Sequence, residues 1–380
     1  MFNKFIDFIK FYKNNRKDWS TDRRIVVFES DDWGSIRMPS REIYDYLLKK
    51  GYPVDVRPFE RFDSIATKDD FYHLFDVLTK HKDCVGKNPQ LTINTIIANP
   101  DFQKIENDKF ERYHYEIFLE TIKKYGNSSF KCWQEGIASG LLFPQLHGRE
   151  HLNVFSWMES VKNQKSIERD VFRFGMMGIP NKEYPSLGNI HQITFDNDFS
   201  QENVMKFHEN ALKNAQDIFK DIFGFHSESF IAPVYTWNEF IESVLKNIKV
   251  KYLQGGRYQN LPLKKSVIKH FSGEQSSSSG LKYLIRNAYF EPSSILDINK
   301  REFALEKLKR QTEIAFLLNK PLIVSMHRLN FIGRIFEENR TSNLKLLDNY
   351  LKWLIKNHPS VEFLNTVELG KLIQYENSHS

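Results

Sequence analysis

Three stretches of the sequence end an apolar, β-prone run in side chains that can ligate a metal or move a proton. In the first, Phe28-Glu29-Ser30-Asp31-Asp32-Trp33-Gly34, the run RIVVFES closes on two adjacent aspartates. The second is His147-Gly148-Arg149-Glu150-His151, after the apolar run Leu141–Leu146. The third is Ser325-Met326-His327-Arg328-Leu329-Asn330, after Leu322-Ile323-Val324. Each has an ordinary explanation on its own. Asp-Asp after a strand is usually a turn or a helix cap. In a chain with 12 His, an HxxxH pair can be two partly exposed helix histidines, and His327 can be a satisfied core histidine. Taken together they say more. Histidines four apart share one face of a helix or tight turn, so both rings reach one ion. Two histidines and one aspartate give three protein ligands and leave positions for water and substrate, whereas a structural zinc is usually closed by a fourth ligand. The second aspartate is then left free to act as a base. Glu150 adjoins the second histidine and not the first, which argues against the HExxH pattern of zinc proteases.

The background against which these residues sit is that of a soluble-type chain. Its 380 residues allow one large domain or two ordinary ones, and 41% apolar residues suffice for a sizeable core. The charge balance is 54 − 48 = +6, spread along the chain, so a nucleic-acid partner is not expected. Two cysteines, Cys84 and Cys132, exclude a disulfide framework and a CxxC site. No apolar run approaches the roughly 18 residues of a membrane span. Phe2, Phe5, Ile6, Ile9 and Tyr12 recur at helical spacing and predict an amphipathic helix over residues 1–20. That helix either packs on the domain or lies on anionic lipid through Lys4, Lys10, Lys13, Arg16 and Lys17. Lys4 and Asp7 interrupt what would be the apolar core of a signal peptide, so a cytoplasmic location is expected, with peripheral contact at the inner membrane face as the variant. Residues 21–374 are expected to form one domain and 375–380 a flexible tail. Ser272–Gly280 reads as a mobile loop.

The elements that must position the three stretches are strands alternating with helices. Eight β-rich runs are legible: Arg24–Ser30, Leu91–Ala98, Leu141–His147, Ser229–Tyr235, Lys251–Gln254, Leu281–Ile285, Leu322–His327 and Val361–Asn365. Helical periodicity marks Arg41–Lys50, Phe110–Tyr125, Asn203–Phe223 and Arg301–Leu318, with an insertion also around Asp70–Leu78. Strand–helix alternation predicts βαβ units and a parallel sheet. Its length and unit count fit a (β/α) barrel, in which chemistry collects at the C-terminal ends of strands.

The order of these motifs resembles the polysaccharide deacetylase (NodB-homology) family. Its TFDDG motif is matched by Glu29-Ser30-Asp31-Asp32-Trp33-Gly34, its H(S/T)xxH motif by His147–His151 and its late Leu-His motif by Met326-His327, across residues 24 to 370. The resemblance implies a distorted (β/α)7-type barrel and metal-dependent removal of N- or O-acetyl groups from sugars. It implies Asp31 as general base, Asp32, His147 and His151 as metal ligands, and His327 as general acid. Zinc is the default for such ligands, with cobalt, nickel or iron able to fit them. The oxyanion would rest on the metal and a backbone N–H near Pro233. The family's third motif carries an Arg before Pro that pairs with the base. Here Ser229-Phe230-Ile231-Ala232-Pro233-Val234-Tyr235-Thr236-Trp237 has none, leaving Arg149, Arg257 or Arg328 as substitutes. Trp33 is a further departure. As substrate contacts the reading names Trp33, Pro233, Tyr235, Trp237 and Arg328, since aromatic rings stack on sugar faces; core packing is the competing explanation for the tryptophans.

The expected activity is therefore a metal-dependent deacetylase acting on an acetylated saccharide or glycan precursor. A metal-dependent amidase or phosphoesterase, and a barrel that binds glycan without turning it over, are the alternatives.

Overall fold

The computed structural model describes residues 2–126, 128–179, 201–262 and 266–377. All eight β-rich runs form strands, and a ninth, two residues long, joins them. In chain order they are β1 (Arg24–Trp33), β2 (Leu91–Thr95), β3 (Leu142–Leu146), β4 (Ser229–Ile231), β5 (Tyr252–Gly255), β6 (Lys282–Ile285), β7 (Ala288–Tyr289), β8 (Leu322–His327) and β9 (Val361–Phe363). Every pairing in this sheet is parallel, in the order β6-β5-β4-β3-β2-β1-β8-β7, with β9 added to the start of β1.

The two ends of that order are consecutive in the chain. Lys282–Ile285 pair with β5, while Ala288 and Tyr289 pair with β8. Between them the Arg286 N–H donates to Gly255 O at 2.9 Å and the Asn287 N–H to Ile323 O at 3.1 Å. One extended stretch thus changes neighbours at Arg286. If β6 and β7 count as one position, the pairings run through seven positions and return to β1, the ring that a (β/α)7 arrangement requires.

Side-chain alternation gives each strand two faces. On β1, Val26 and Phe28 join Leu308, Phe316, Leu347 and Tyr350 of the surrounding helices. Ile25 and Val27 instead join Tyr252, Leu284 and Ile323 of other strands, together with Val367, Leu369 and Ile373 of helix Thr366–Asn377. The next two residues on that second face are Glu29 and Asp31. The interior is therefore apolar where β1 begins, against that helix, and turns ionic toward the strand's C-terminal end.

Several expectations are corrected. The N-terminal helix spans Phe2–Asn15 and stops short of residue 20. It is tied down beyond its end, where Arg257 donates to both Asp18 oxygens at 2.6 and 2.7 Å. Residues 375–377 are not a free tail: they form the last turn of the helix that underlies the ring, and 378–380 lie outside the described residues. The serine-rich loop is pinned. Ser276 and Ser279 hydroxyls donate to Glu242 Oε2 at 2.5 and 2.9 Å, because a buried carboxylate needs donors that water cannot supply. Among the described residues no helix is long and apolar enough to cross a membrane.

Gly34 sits at the hinge where β1 leaves the ring, with φ +86°, and an added Cβ would overlap Ile96 O. Gly34→Ala should lose at least about 1 kcal/mol of folding stability from the left-handed backbone alone, and more from the overlap. A urea titration reads this directly, and an unchanged midpoint would contradict it.

Candidate metal centre and active site

The site begins with strand register. β1 and β8 pair so that Asp31 lies beside His327, and paired residues of parallel neighbours face the same side. In an unbroken strand Asp32 would then point the other way. The β1–β2 register instead shifts between Ser30 and Trp33, and Asp32 takes the left-handed conformation with φ 70°. This irregularity re-aims the second aspartate, so both adjacent carboxylates belong to the same polar end of the ring.

Asp32 meets the two histidines there. One ligand atom from each of Asp32, His147 and His151 lies within 4.8 Å of the others, and all three residues are buried. Asp32 Oδ1 is 3.4 Å from His147 Nε2 and 3.6 Å from His151 Nε2. Three atoms bonded tetrahedrally to one ion at ~2.1 Å would stand ~3.4 Å apart, so the spacing fits a shared divalent cation. His147 follows β3, and its Nδ1 donates to Ile231 O at 2.8 Å, which leaves the Nε2 lone pair facing the cluster. His151 arrives on a loop and not on a helix. That loop is laid against the chain after β2 by Ala98 N–H to Arg149 O, 2.7 Å. Burial opposes the charge on Asp32, but His151, Arg37 and His147 hold its carboxyl well below the usual range. Arg37 takes its other oxygen at 3.2 Å. Asp32 is therefore ionised.

Asp31 has a different partner, and it is an arginine that the sequence motif did not reveal. Arg286 NH1 donates to Asp31 Oδ2 at 2.6 Å and NH2 to Oδ1 at 2.7 Å, while Nε donates to Glu29 Oε2 at 2.6 Å. Asn94 Nδ2 adds 2.8 Å to Asp31 Oδ1. Burial would raise the Asp31 pKa, yet the guanidinium brings it down to about 2. Glu29 is pushed up by burial, with Arg286 and the Thr366 hydroxyl working against that shift. The three arginines expected here are engaged elsewhere: Arg149 with Glu150, Arg257 with Asp18, and Arg328 with Asp63. The available signal for Arg286 was its position directly after the run Leu281–Ile285, a charge closing a strand like the other three motifs.

His327 is paired to a carboxylate. Its Nδ1 is 2.6 Å from Glu291 Oε1, and Asn330 Nδ2 donates to Glu291 Oε2 at 2.9 Å. Its Nε2 stands 3.9 Å from Asp31 Oδ2. Burial alone would lower the His327 pKa, but Glu291, Asp31 and Asp32 lift it to about 10. The imidazole is thus a cation at neutral pH. Glu291 follows a two-residue strand too short to be legible, so nothing local marked it. Phe59 sets its ring edge-on to His327, centroids 5.3 Å apart, with Arg37 over the Phe59 face at 5.4 Å.

The expected substrate contacts divide. Trp33 is 1% exposed, donates to Ser30 Oγ at 2.8 Å and packs on Phe71 and Trp133, so it is core. Trp237 is 0% exposed and donates to Glu242 Oε1 at 3.0 Å. Arg328 is spent on Asp63 and on Ser35 O at 2.8 Å. All three are unavailable to a sugar because their polar atoms are committed inside the protein. Pro233 is buried and opens a tight turn. The N–H groups of Tyr235 and Thr236 are used on Ala232 O and Pro233 O, so neither is offered to an oxyanion. Tyr235 does adjoin the site, half-buried, with its hydroxyl 3.5 Å from Arg286 NH1. Burial pushes its pKa up to about 12, so it keeps its proton. Gly256 makes room for the ring, since a Cβ there would sit 2.9 Å from Tyr235 Cε2.

No protein-family model and no curated protein matches the chain. Solved structures align over most of it. A putative polysaccharide deacetylase from Mycobacterium smegmatis shares 10% identity at TM-score 0.45, covering 94% of this chain and 93% of that one. Puue allantoinase shares 11% identity at TM-score 0.47, covering 95% and 94%. A 4-alpha-glucanotransferase from Thermococcus litoralis shares 7% identity at TM-score 0.46; the match covers 91% of this chain but spans only 40% of that one. Likeness at this level carries no argument about activity.

Replacing Arg286 with Met would strand two buried carboxylates. Arg286→Met should cost about 3–5 kcal/mol, and Arg286→Lys should recover only part of it, because an ammonium lacks the planar fork that serves Glu29 and Asp31 at once. Chemical denaturation of the two variants beside wild type checks the order. Metal analysis of His147→Ala, His151→Ala and Asp32→Asn should show loss of bound metal in each, with metal retained in Asp31→Asn.

Proposed function

We propose that this chain is a metal-dependent hydrolase that removes N- or O-acetyl groups from a saccharide. One observation carries the reading: at a single strand-end site, an aspartate is held ionised by Arg286, a histidine is held protonated by Glu291, and a two-histidine, one-aspartate cluster adjoins them. Titratable groups whose pKa values are driven apart in this way divide into a base and an acid. A passive glycan-binding barrel has no use for that desolvated division.

Asp32, His147 and His151 would hold a divalent cation. Such an ion would polarise an acyl carbonyl and acidify a water molecule. Two imidazoles and one carboxylate suit zinc, with cobalt, nickel or iron as alternatives. The chain's own residues supply the remainder. Asp31 is ionised, and Arg286 and Asn94 fix its orientation; it takes the proton of the attacking water. A carboxylate of low pKa is a weak base, so its contribution lies in orienting that water and accepting its proton transiently. His327 carries its proton on the Nε2 side facing Asp31, while Glu291 fixes the other nitrogen. It donates to the leaving amine or alcohol. Tyr235 keeps its hydroxyl proton and is a donor at the same end of the ring. Phe59, packed on His327, gives the leaving group an apolar wall of the kind that sugar faces stack on. The reading takes the substrate to be an acetylated glycan precursor met in the cytoplasm, and none of the chemistry needs a membrane.

Acetate release from a panel of acetylated glycans, set against phosphate release from phosphate esters, tests the reaction class; release of phosphate alone would overturn it. Asp31→Asn should keep its metal and lose at least ~100-fold in kcat. The pH dependence follows from His327, which is a cation below its pKa and neutral above it. The rate should therefore fall as pH rises through that value. In Glu291→Gln the charge that raises it is gone, and the alkaline fall should move to lower pH than in wild type. Coincident alkaline limbs would remove His327 from the role of acid.

A further inference from the structure

The two oxygens of the Asp32 carboxylate have different neighbours. Oδ1 lies 3.4 Å from His147 Nε2 and 3.6 Å from His151 Nε2, whereas Oδ2 accepts from Arg37 NH2 at 3.2 Å. Arg37 is built into that position. The Ser35 N–H donates to Asp32 O at 3.2 Å and closes a turn directly after the second aspartate. Asn99, 2% exposed, clamps this turn twice: its Nδ2 donates to Gly34 O at 2.8 Å, and its Oδ1 accepts from the Ile36 N–H at 2.8 Å. Arg328 NH1 donates to Ser35 O at 2.8 Å. The chain is thereby turned back on Asp32. The Arg37 side chain, 10% exposed, lies over Phe59 at 5.4 Å from the ring centroid, with Nε 3.6 Å from Asp63 Oδ2. Asp63 does not depend on it, since Arg328 serves both Asp63 oxygens at 3.0 and 2.9 Å.

We propose that Arg37 is a positioning residue of the metal centre: it occupies Asp32 Oδ2 so that Oδ1 alone ligates the cation. The inference rests on the reading of Asp32, His147 and His151 as metal ligands. A carboxylate can bind an ion through one oxygen or through both. Binding through both would fill a position that a hydrolytic centre keeps for water and substrate. A hydrogen-bond partner on the ligating carboxylate fixes that choice. Here the partner is itself a cation, and its charge repels the ion. Arg37 therefore does not serve affinity; it lowers affinity and keeps a coordination position open. That sign separates it from a residue that merely holds the loop, whose loss would loosen the site and weaken metal binding.

The test loads the full chain with cobalt(II), which suits these ligands and whose visible absorption weakens as its coordination number rises. The proteins are wild type, Arg37→Met, Arg37→Lys and His147→Ala. Spectra are recorded, and affinity is read by competition with a chelating dye. Arg37→Met should lose visible intensity relative to wild type while holding cobalt at least as tightly. Arg37→Lys keeps a charged donor and should retain the wild-type spectrum. His147→Ala should lose cobalt, which ties the spectrum to this cluster. X-ray absorption of the zinc-loaded wild type needs no variant to fold: it should find Asp32 bound through one oxygen, and a carboxylate bound there through both would overturn the proposal. An unchanged spectrum or weaker binding in Arg37→Met would also remove Arg37 from this role and leave the hydrolase reading standing. Failure of wild type to bind cobalt, or undiminished binding by His147→Ala, would overturn the metal reading and this inference with it.

Discussion

A single buried guanidinium carries much of this architecture. Arg286 has no exposed side-chain surface and lies between Glu29 and Asp31, which occupy successive inward positions of β1. Burying any one of these charges alone is prohibitive, and together they are stable only while the hydrogen bonds are complete. The arginine comes from the residue at which the chain changes strand neighbours. The same contact that keeps Asp31 ionised therefore fastens the first strand to the segment linking the two ends of the sheet. Fold and electrostatics share one joint.

The adjacent aspartates pose a problem that the structure solves twice. Two neighbouring carboxylates in a desolvated site would ordinarily share a proton. Here each has its own arginine, Arg286 for Asp31 and Arg37 for Asp32. Arg37 also approaches Asp63 at 3.6 Å, and Asp63 in turn holds Arg328 at 2.9 Å. Charges alternate along this row, so each is compensated by the next. Arg328 thus serves the far end of a chain of ion pairs, which explains why an arginine beside His327 contacts no open space.

Polarity within the ring follows the strands. Ile25 and Val27 lie over the C-terminal helix, Glu29 and Asp31 come next on the same face, and the irregularity at Asp32 adds a second carboxylate. Gly34 allows the backbone to leave at that point. The site is the upper part of the interior continued past the strand ends, not a surface depression added afterwards.

Some of this was legible in the linear chain, because it is written locally. Each strand announces itself by a short run of β-branched and aromatic residues, and all eight such runs form strands. The Asp-Asp, HxxxH and Met-His stretches stand out because charges closing an apolar run have few packing explanations, and tertiary structure brings Asp32, His147 and His151 together. The tryptophans show the limit of such reasoning: Trp33 and Trp237 sit beside strand ends in sequence, yet their indoles turn into the core, and rotamer and packing are not local properties. Charge partners are less local still. Arg286 is 255 residues from Asp31, and Glu291 is 36 from His327. The sequence alone determined the strand alternation and the chemical types available at strand ends. Only tertiary structure decided which arginine balances which carboxylate, because in a desolvated interior pairing is set by distance in space.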